Sequence, residues 1–375
     1  MNFIKGYKDR AAFKAKSFFS FFLLLNSVLK ALIDKKLKNK KRSLPFLFID
    51  ITDKCNSRCL ACPVWRPRPV SARELTGAQI ISLLPSLKAL GTRLVSFGGG
   101  EPLLRDDLFD CIRAFSDEGI STHINTNALL LNRHNIKKLI DSGLSSINIS
   151  CDHIDPEKYF ELRGVNQLHQ VFAALKNISS CKRKIPVAVN VVVSRKNIND
   201  VEKIAALLAG FKVRKIQFIP INFRLRHRPE ASDIIRQLLP DIDDMEPLKT
   251  RLFKIIRSLR RRGIESNSDF FINHFDCAYK PLRPVACTAG TLFAMIDPFG
   301  NVSPCYEIGT GLNIKDMTLQ EIVKHPKFSS GLQKVVRCRR PCWDTGSAEP
   351  SIRVNFSYAF LHPLETMKQV FIHLL

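Results

Sequence analysis

The chain lacks any apolar run of the length that crosses a bilayer. Its densest stretch, Phe18-Phe19-Ser20-Phe21-Phe22-Leu23-Leu24-Leu25, lies between Lys16 and Lys30, whereas a spanning helix needs about twenty mainly apolar residues. No small-residue cleavage site follows, which argues against a removed signal. Acidic residues are scarce, with 34 Asp and Glu against 58 Lys and Arg for a formal net charge of +24. That balance favours anionic surfaces as partners and says nothing about fold. The nine histidines show no paired metal spacing, and aromatic residues interleaved with basic ones, as an RNA-binding appendage would carry, are missing. Nucleic acid is therefore not an expected partner.

With 375 residues and 45% apolar content, the chain can bury a large core, in one main domain with a smaller one attached. Eleven cysteines in a long chain without a cleavable signal argue for a reducing compartment and metal ligation rather than disulfides. Cytoplasmic residence is the expectation, peripheral on the inner face of the membrane if the first segment attaches there. Residues 1–45 hold twelve Lys or Arg against Asp9 and Asp34. Combined with Val28, Leu29, Leu32 and Ile33, this arm reads as an amphipathic helix lying in a membrane interface, or else packed on the protein's own surface.

From Phe46 to Phe223 strand-like and helix-like segments alternate. Strands are expected near 46–52, 93–97, 121–125, 146–150, 187–193 and 215–220. Helices are expected near 76–90, 106–118, 134–142, 166–179 and 198–210, with apolar residues at three- and four-residue intervals, as in Ile80, Leu83, Leu84 and Leu87. Six βα units in series imply an α/β fold with a parallel sheet. Residues 224–276 form a basic helical connection with Arg224, Arg226, Arg228, Arg257, Arg260, Arg261 and Arg262, read as a solvated face or as a phosphate receiver.

After the first strand comes Asp53-Lys-Cys-Asn-Ser-Arg-Cys-Leu-Ala-Cys-Pro63, which places Cys55, Cys59 and Cys62 at CxxxCxxC spacing. Cubane iron–sulfur clusters normally take four cysteines, so three would leave one iron open to a ligand that is not protein. Gly98-Gly99-Gly100-Glu101-Pro102 follows the second strand. These two motifs, in this order, resemble the radical S-adenosylmethionine superfamily. The resemblance implies a partial (β/α)6 barrel. It implies that Cys55, Cys59 and Cys62 hold a [4Fe–4S] cluster whose open iron chelates S-adenosylmethionine. It also implies that one-electron cleavage gives a 5′-deoxyadenosyl radical that abstracts hydrogen from a substrate. By the same resemblance Gly99, Gly100 and Glu101 receive the methionine amino group, and Ser150, Ser194 and Arg195 contact S-adenosylmethionine or substrate. Thr126, Asn127 and Asp152 are further polar residues at strand ends, where working residues of such barrels sit. Ala61 stands where the family often has an aromatic residue.

Beyond residue 276 Cys287 is followed by Asp297-Pro-Phe-Gly-Asn-Val-Ser-Pro-Cys305, and then by Cys338-Arg-Arg-Pro-Cys342. Asp-Pro-x-Gly reads as a tight turn between two strands, presenting Cys287 and Cys305 on neighbouring strands. The segment resembles the SPASM/twitch extension of radical enzymes. That resemblance implies an auxiliary [4Fe–4S] cluster on Cys287, Cys305, Cys338 and Cys342, with Cys277 in reserve. Four thiolates would also suit zinc. The expected divisions are 1–45, 46–223, 224–276, 277–345 and a tail, 346–375, with an amphipathic helix. Cys111, Cys151 and Cys181 read as core residues.

The expected partner is a one-electron donor such as a flavodoxin or ferredoxin. Substrate identity follows from no motif. A membrane lipid or lipid-linked saccharide comes first because of the basic arm, a ribosomally made peptide second. A non-catalytic iron–sulfur electron carrier is the alternative of another class, and the Gly-Gly-Glu-Pro turn argues against it.

Overall fold

The computed structural model describes residues 22–36, 42–66, 73–181, 185–221 and 236–355. Strands β1 (Phe46–Thr52), β2 (Leu94–Gly99), β3 (Ser121–Thr126), β4 (Ser146–Ser150), β5 (Val187–Val193) and β6 (Lys215–Pro220) pair in parallel in chain order, within a residue or two of the expected positions. In β5, Val189, Val191 and Val193 are fully buried on the face away from the lumen. Ala188 and Asn190, pointing the other way, line the lumen. The sheet is the expected partial barrel.

The helix expected over 76–90 is two helices, Gly77–Ile81 and Leu84–Ala89. Pro85 opens the second, because it lacks an N–H and clashes with the carbonyl of a preceding turn. Within the barrel one helix was not expected, Pro156–Arg163, capped by Asp155 and ended by Gly164 at φ +67°. It supplies a site residue described below.

The cysteine-rich segment is joined to the barrel rather than separate from its sheet. Strand β7 (Phe293–Ile296) pairs in parallel with β1, and β8 (Asn301–Ser303) and β9 (Leu312–Asn313) follow antiparallel. Nine strands thus run in the order β6-β5-β4-β3-β2-β1-β7-β8-β9. The expected turn is present, with Asp297 accepting from the Phe299 and Asn301 N–H groups. Cys287, however, precedes β7 and Cys305 follows β8, so neither lies within a paired strand. Residues 288–292, turned by the Thr291 and Leu292 N–H groups donating to the Thr288 carbonyl, carry the chain from Cys287 into β7, and Pro304 ends β8 before Cys305.

Residues 22–36 are helical and pack on the protein itself. Leu24 and Ala31 are buried, Ala31 beside Leu292, Phe293 and Val335. Ser27 Oγ donates to the Gly91 carbonyl at 2.6 Å. Phe22, Leu29 and Ile33 point outward at more than half exposure or close to it. No helix among the described residues is long and apolar enough to cross a membrane. In the connection, helix Met245–Arg261 buries Leu248, Leu252, Ile255, Ile256 and Leu259. Arg260 pairs with Asp269 at 2.8 Å and Arg262 donates to the Ala209 carbonyl, so these two arginines serve the fold. Arg224, Arg226, Arg228 and the expected C-terminal helix lie outside the described residues.

Candidate active site

The Cys55–Cys62 loop leaves β1 and folds against two neighbours. The first is the turn after β2. Gly100 N–H donates to the Thr52 carbonyl at 2.7 Å, and Glu101 N–H to the Lys54 carbonyl at 2.9 Å. A Cβ on Gly99 would strike the Thr52 carbonyl oxygen, and one on Gly100 the Lys54 carbonyl oxygen. Gly99 also holds φ +108°, which side-chain-bearing residues rarely adopt. The two motifs are therefore one backbone-to-backbone unit, and only glycine permits the approach.

The second neighbour is the unexpected helix. Arg58 N–H donates to the Arg163 carbonyl and Leu60 N–H to the Leu162 carbonyl, both at 3.0 Å. Gly164 has no Cβ to strike Arg58. Arg163 Nη1 reaches Cys59 Sγ at 3.5 Å and Arg163 Nε pairs with Asp152 at 2.8 Å. Trp65 Nε1 donates to the Cys59 carbonyl at 3.0 Å.

Glu101 is wholly buried, and its carboxylate accepts from Leu103 N–H, Thr126 Oγ1 and Asn127 N–H at 3.1, 2.7 and 2.8 Å. Burial pushes its pKa up to about 7 against these donors. Its side chain thus braces β2 to the end of β3 and aims Asn127, whose Nδ2 donates to Ser57 Oγ at 3.0 Å and lies 3.9 Å from Cys55 Sγ. The next residue, Ala128, has φ +66° and is the one non-glycine residue with positive φ among those described. Backbone strain of this kind persists where surrounding contacts fix it.

The remaining strand-end residues divide. Ser150 ends β4 half-buried, in register with Asn190. Ser194 is buried, and its N–H donates to Asn197 Oδ1 at 2.8 Å, closing a turn. Arg195 extends over residues 238–241, donating to the Leu239 carbonyl and pairing with Asp241. Asn197 was missed from sequence, yet its Nδ2 ties the Asp152 and Val192 carbonyls together.

A cavity of about 510 Å³ occupies the lumen. Asp50, Gly98 and Gly99 border it at the strands' C-terminal ends, and Cys287, Cys305, Cys338 and Cys342 all border it as well. Cys287 feels the fields of Cys338 and Asp344, and Cys305 and Cys342 feel that of Cys287. Arg283 Nη2 lies 3.9 Å from Cys338 Sγ. Cys277 is buried apart from these four in the main core.

Residues 49–208 match the family described as the Radical SAM superfamily. That stretch is a radical SAM domain. Among curated relatives, the PqqA peptide cyclase of Bradyrhizobium diazoefficiens is 28% identical over 284 residues, covering 72% of this chain and 69% of that protein. Among solved structures, Streptococcus suis SuiB bound to the precursor peptide SuiA superposes with a TM-score of 0.64 at 19% identity, over 80% of this chain and 69% of SuiB. Native anSMEcpe with bound AdoMet and Cp18Cys peptide superposes with a TM-score of 0.60 at 18% identity, over 87% of this chain and 99% of that one. These two likenesses establish the fold.

A radical SAM enzyme uses S-adenosylmethionine and a [4Fe–4S] cluster, and the residues present fit both. No three His, Cys, Asp or Glu side chains among the described residues are grouped to hold a single metal ion. Ser57 N–H at 3.5 Å from Cys55 Sγ and Arg163 at Cys59 supply donors to sulfur, one of the levers by which protein tunes such clusters. Burial holds the Cys55 thiol up at about 11 and raises that of Cys59, so bound cation charge is needed to keep them as thiolates.

Proposed function

We propose that this radical SAM enzyme modifies a peptide held in the lumen between two iron–sulfur clusters. The observation that carries the reading is one shared cavity, bounded by Gly98 and Gly99 at one place and by Cys287, Cys305, Cys338 and Cys342 at another. Cys55, Cys59 and Cys62 would hold the first cluster, and the backbone of Gly99 and Gly100 would receive the methionine end of S-adenosylmethionine. The four later cysteines would hold an auxiliary cluster of SPASM/twitch type. With both groups bound, the site supplies a radical that abstracts hydrogen from carbon. The protein's own part is orientation: Glu101 and Asn127 set the cysteine loop, Arg163 sets its far side, and the lumen excludes water.

The peptide reading rests on the PqqA peptide cyclase relative and on the lumen wall. Ser96, Asn125, Asn148, Asn190 and Gln217 present hydroxyl and amide groups there, donors and acceptors that match a peptide backbone. It displaces the lipid or lipid-linked saccharide placed first from the sequence. A one-electron donor such as a flavodoxin or ferredoxin would reduce the first cluster. The outward row of Phe22, Leu29 and Ile33, with exposed Lys30, Lys35 and Lys36, supports contact of residues 22–36 with an anionic membrane.

The test is anaerobic reconstitution with iron and sulfide, then dithionite and S-adenosylmethionine, with 5′-deoxyadenosine followed by chromatography. Short peptides encoded beside the gene are then supplied fully deuterated. Deuterium in the 5′-deoxyadenosine is expected, and deuterium arriving only from a deuterated lipid extract would reject a peptide substrate.

A further inference from the structure

The lumen wall contains a lysine that the reading above does not use. Lys215 begins β6 and is 3% exposed. It borders the cavity, and its Nζ has no hydrogen-bond partner. A buried ammonium without a partner is costly and is ordinarily paired. The charged groups that act on it are Arg353, Glu349 and Glu265. Both carboxylates are engaged elsewhere: Glu349 accepts from Ser268 N–H and pairs with Arg353 at 3.5 Å, and Glu265 pairs with Arg214 at 3.7 Å. One positive charge at the cavity wall is left over.

The strand register says what surrounds that charge. Asn125, Asn148, Ala188 and Lys215 are successive register partners across β3, β4, β5 and β6, so their side chains form one layer on the lumen face. Asn148 Nδ2 donates to Asn125 Oδ1, and Asn125 Nδ2 to Ser96 Oγ, both at 3.1 Å. The amide ladder is thereby fixed in orientation. Within that layer only the methyl group of Ala188 separates it from Lys215, along the cavity wall. Asn190, two residues along the same face of β5, has a buried Oδ1 that likewise lacks a partner.

We propose that this layer is a carboxylate-binding subsite for the substrate, with Lys215 receiving the anion and the Asn125–Asn148 ladder flanking it. The source of the carboxylate is an acidic side chain or a chain terminus. The inference rests on the peptide reading for the kind of molecule that carries the carboxylate, and on geometry alone for the carboxylate itself. Burial lowers the Lys215 pKa to about 8, consistent with an ammonium that an arriving anion would stabilise.

The experiment is ligand-observed NMR titration of the reconstituted holoenzyme with S-adenosylmethionine. Four probes are used: acetyl-Gly-Glu-Gly-amide, acetyl-Gly-Gln-Gly-amide, acetyl-Gly-Gly-Gly with a free terminus, and glutarate. Each is repeated on Lys215→Met, whose matched length keeps the wall filled. The glutamate or the free-terminus peptide is expected to bind at least tenfold more tightly than the glutamine peptide, with the advantage lost in Lys215→Met. Which of the two is preferred identifies the source. Equal binding of glutamate and glutamine peptides, insensitive to Lys215→Met, would overturn the subsite while leaving the peptide reading intact. Glutarate binding that depends on Lys215, with no peptide bound, would uphold the subsite and reject the peptide. Binding of none of the probes overturns the proposal. Unchanged iron content and a melting temperature at or above that of the parent are expected for Lys215→Met, whereas a structural lysine would lower the melting temperature.

Discussion

Arg163 stands between Asp152 and Cys59, with its Nε 2.8 Å from the Asp152 carboxylate and its Nη1 3.5 Å from the Cys59 sulfur. Both ends of the ion pair are about nine-tenths buried. The end of β4 is thus mechanically and electrostatically coupled to the cysteine loop. Arg163→Met removes one partner and strands a buried carboxylate, which costs on the order of 3 kcal/mol. Adding Asp152→Asn should recover much of that loss. Urea unfolding of the two single variants and the double variant measures it, and simple additivity would mean the pair is not coupled.

The turn after β2 gives a graded series. Gly99→Ala and Gly100→Ala each drive a methyl group into a carbonyl oxygen of the cysteine loop, whereas a Cβ on Gly98 meets Asp50 Oδ1 at 3.4 Å, near ordinary contact. The first two should lose S-adenosylmethionine binding in equilibrium dialysis and destabilise the chain by about 2 kcal/mol or more. Gly98→Ala should stay within about 1 kcal/mol of the parent. Equal losses at all three positions would remove the special role of the close approach.

Iron content separates the cysteine groups. Cys287→Ser with Cys305→Ser should lower reconstituted iron from about eight to about four per chain and leave 5′-deoxyadenosine formation measurable. Cys277→Ser should leave iron unchanged, since Cys277 lies in the main core away from the other four. Loss of iron in that variant would restore it as a ligand.

The six barrel strands were legible because each is an apolar or alternating run bounded by turn residues. Helix Pro156–Arg163 was not, because it buries only Tyr159 and Leu162, too little for a periodic signal. Its ends were nonetheless written in Asp155, Pro156 and Gly164, and Arg163 was lost with it. The pairing of β7 with β1 joins segments more than 240 residues apart, and spacing along a chain carries no trace of such a contact. Lys215 drew no reading from the sequence, because nothing local says that its strand face looks into a cavity.

Residues 22–36 can be tested without removing the contacts that hold them. Leu29→Ser with Ile33→Ser changes only outward side chains, so the fold should keep its melting temperature. Sedimentation with vesicles containing anionic phosphatidylglycerol should fall several-fold relative to the parent, and the parent's binding should weaken with salt. Undiminished binding of the double variant would remove this face from any membrane contact.

Lys215 also leaves a signature in stability. Its ammonium holds a proton to about 10.5 in ordinary surroundings but only to about 8 in the fold, because burial disfavours the charge. Between those values the unfolded chain binds more protons than the folded one, so the lysine's contribution to stability rises with pH across this window. Below about pH 8 its charge is a standing cost of about 3 kcal/mol. Replacing it by methionine removes that cost, so Lys215→Met should be the more stable protein at pH 7. As pH rises toward 10.5 the parent should catch up, narrowing the difference by about 2–3 kcal/mol. Urea unfolding of both proteins at pH 7, 8.5 and 10 gives the difference directly, and the comparison cancels every titrating group that Lys215 does not act on. A gap that stays constant with pH would mean that the folded chain already supplies Lys215 with a counterion, and the cavity wall would then carry no spare charge for a substrate.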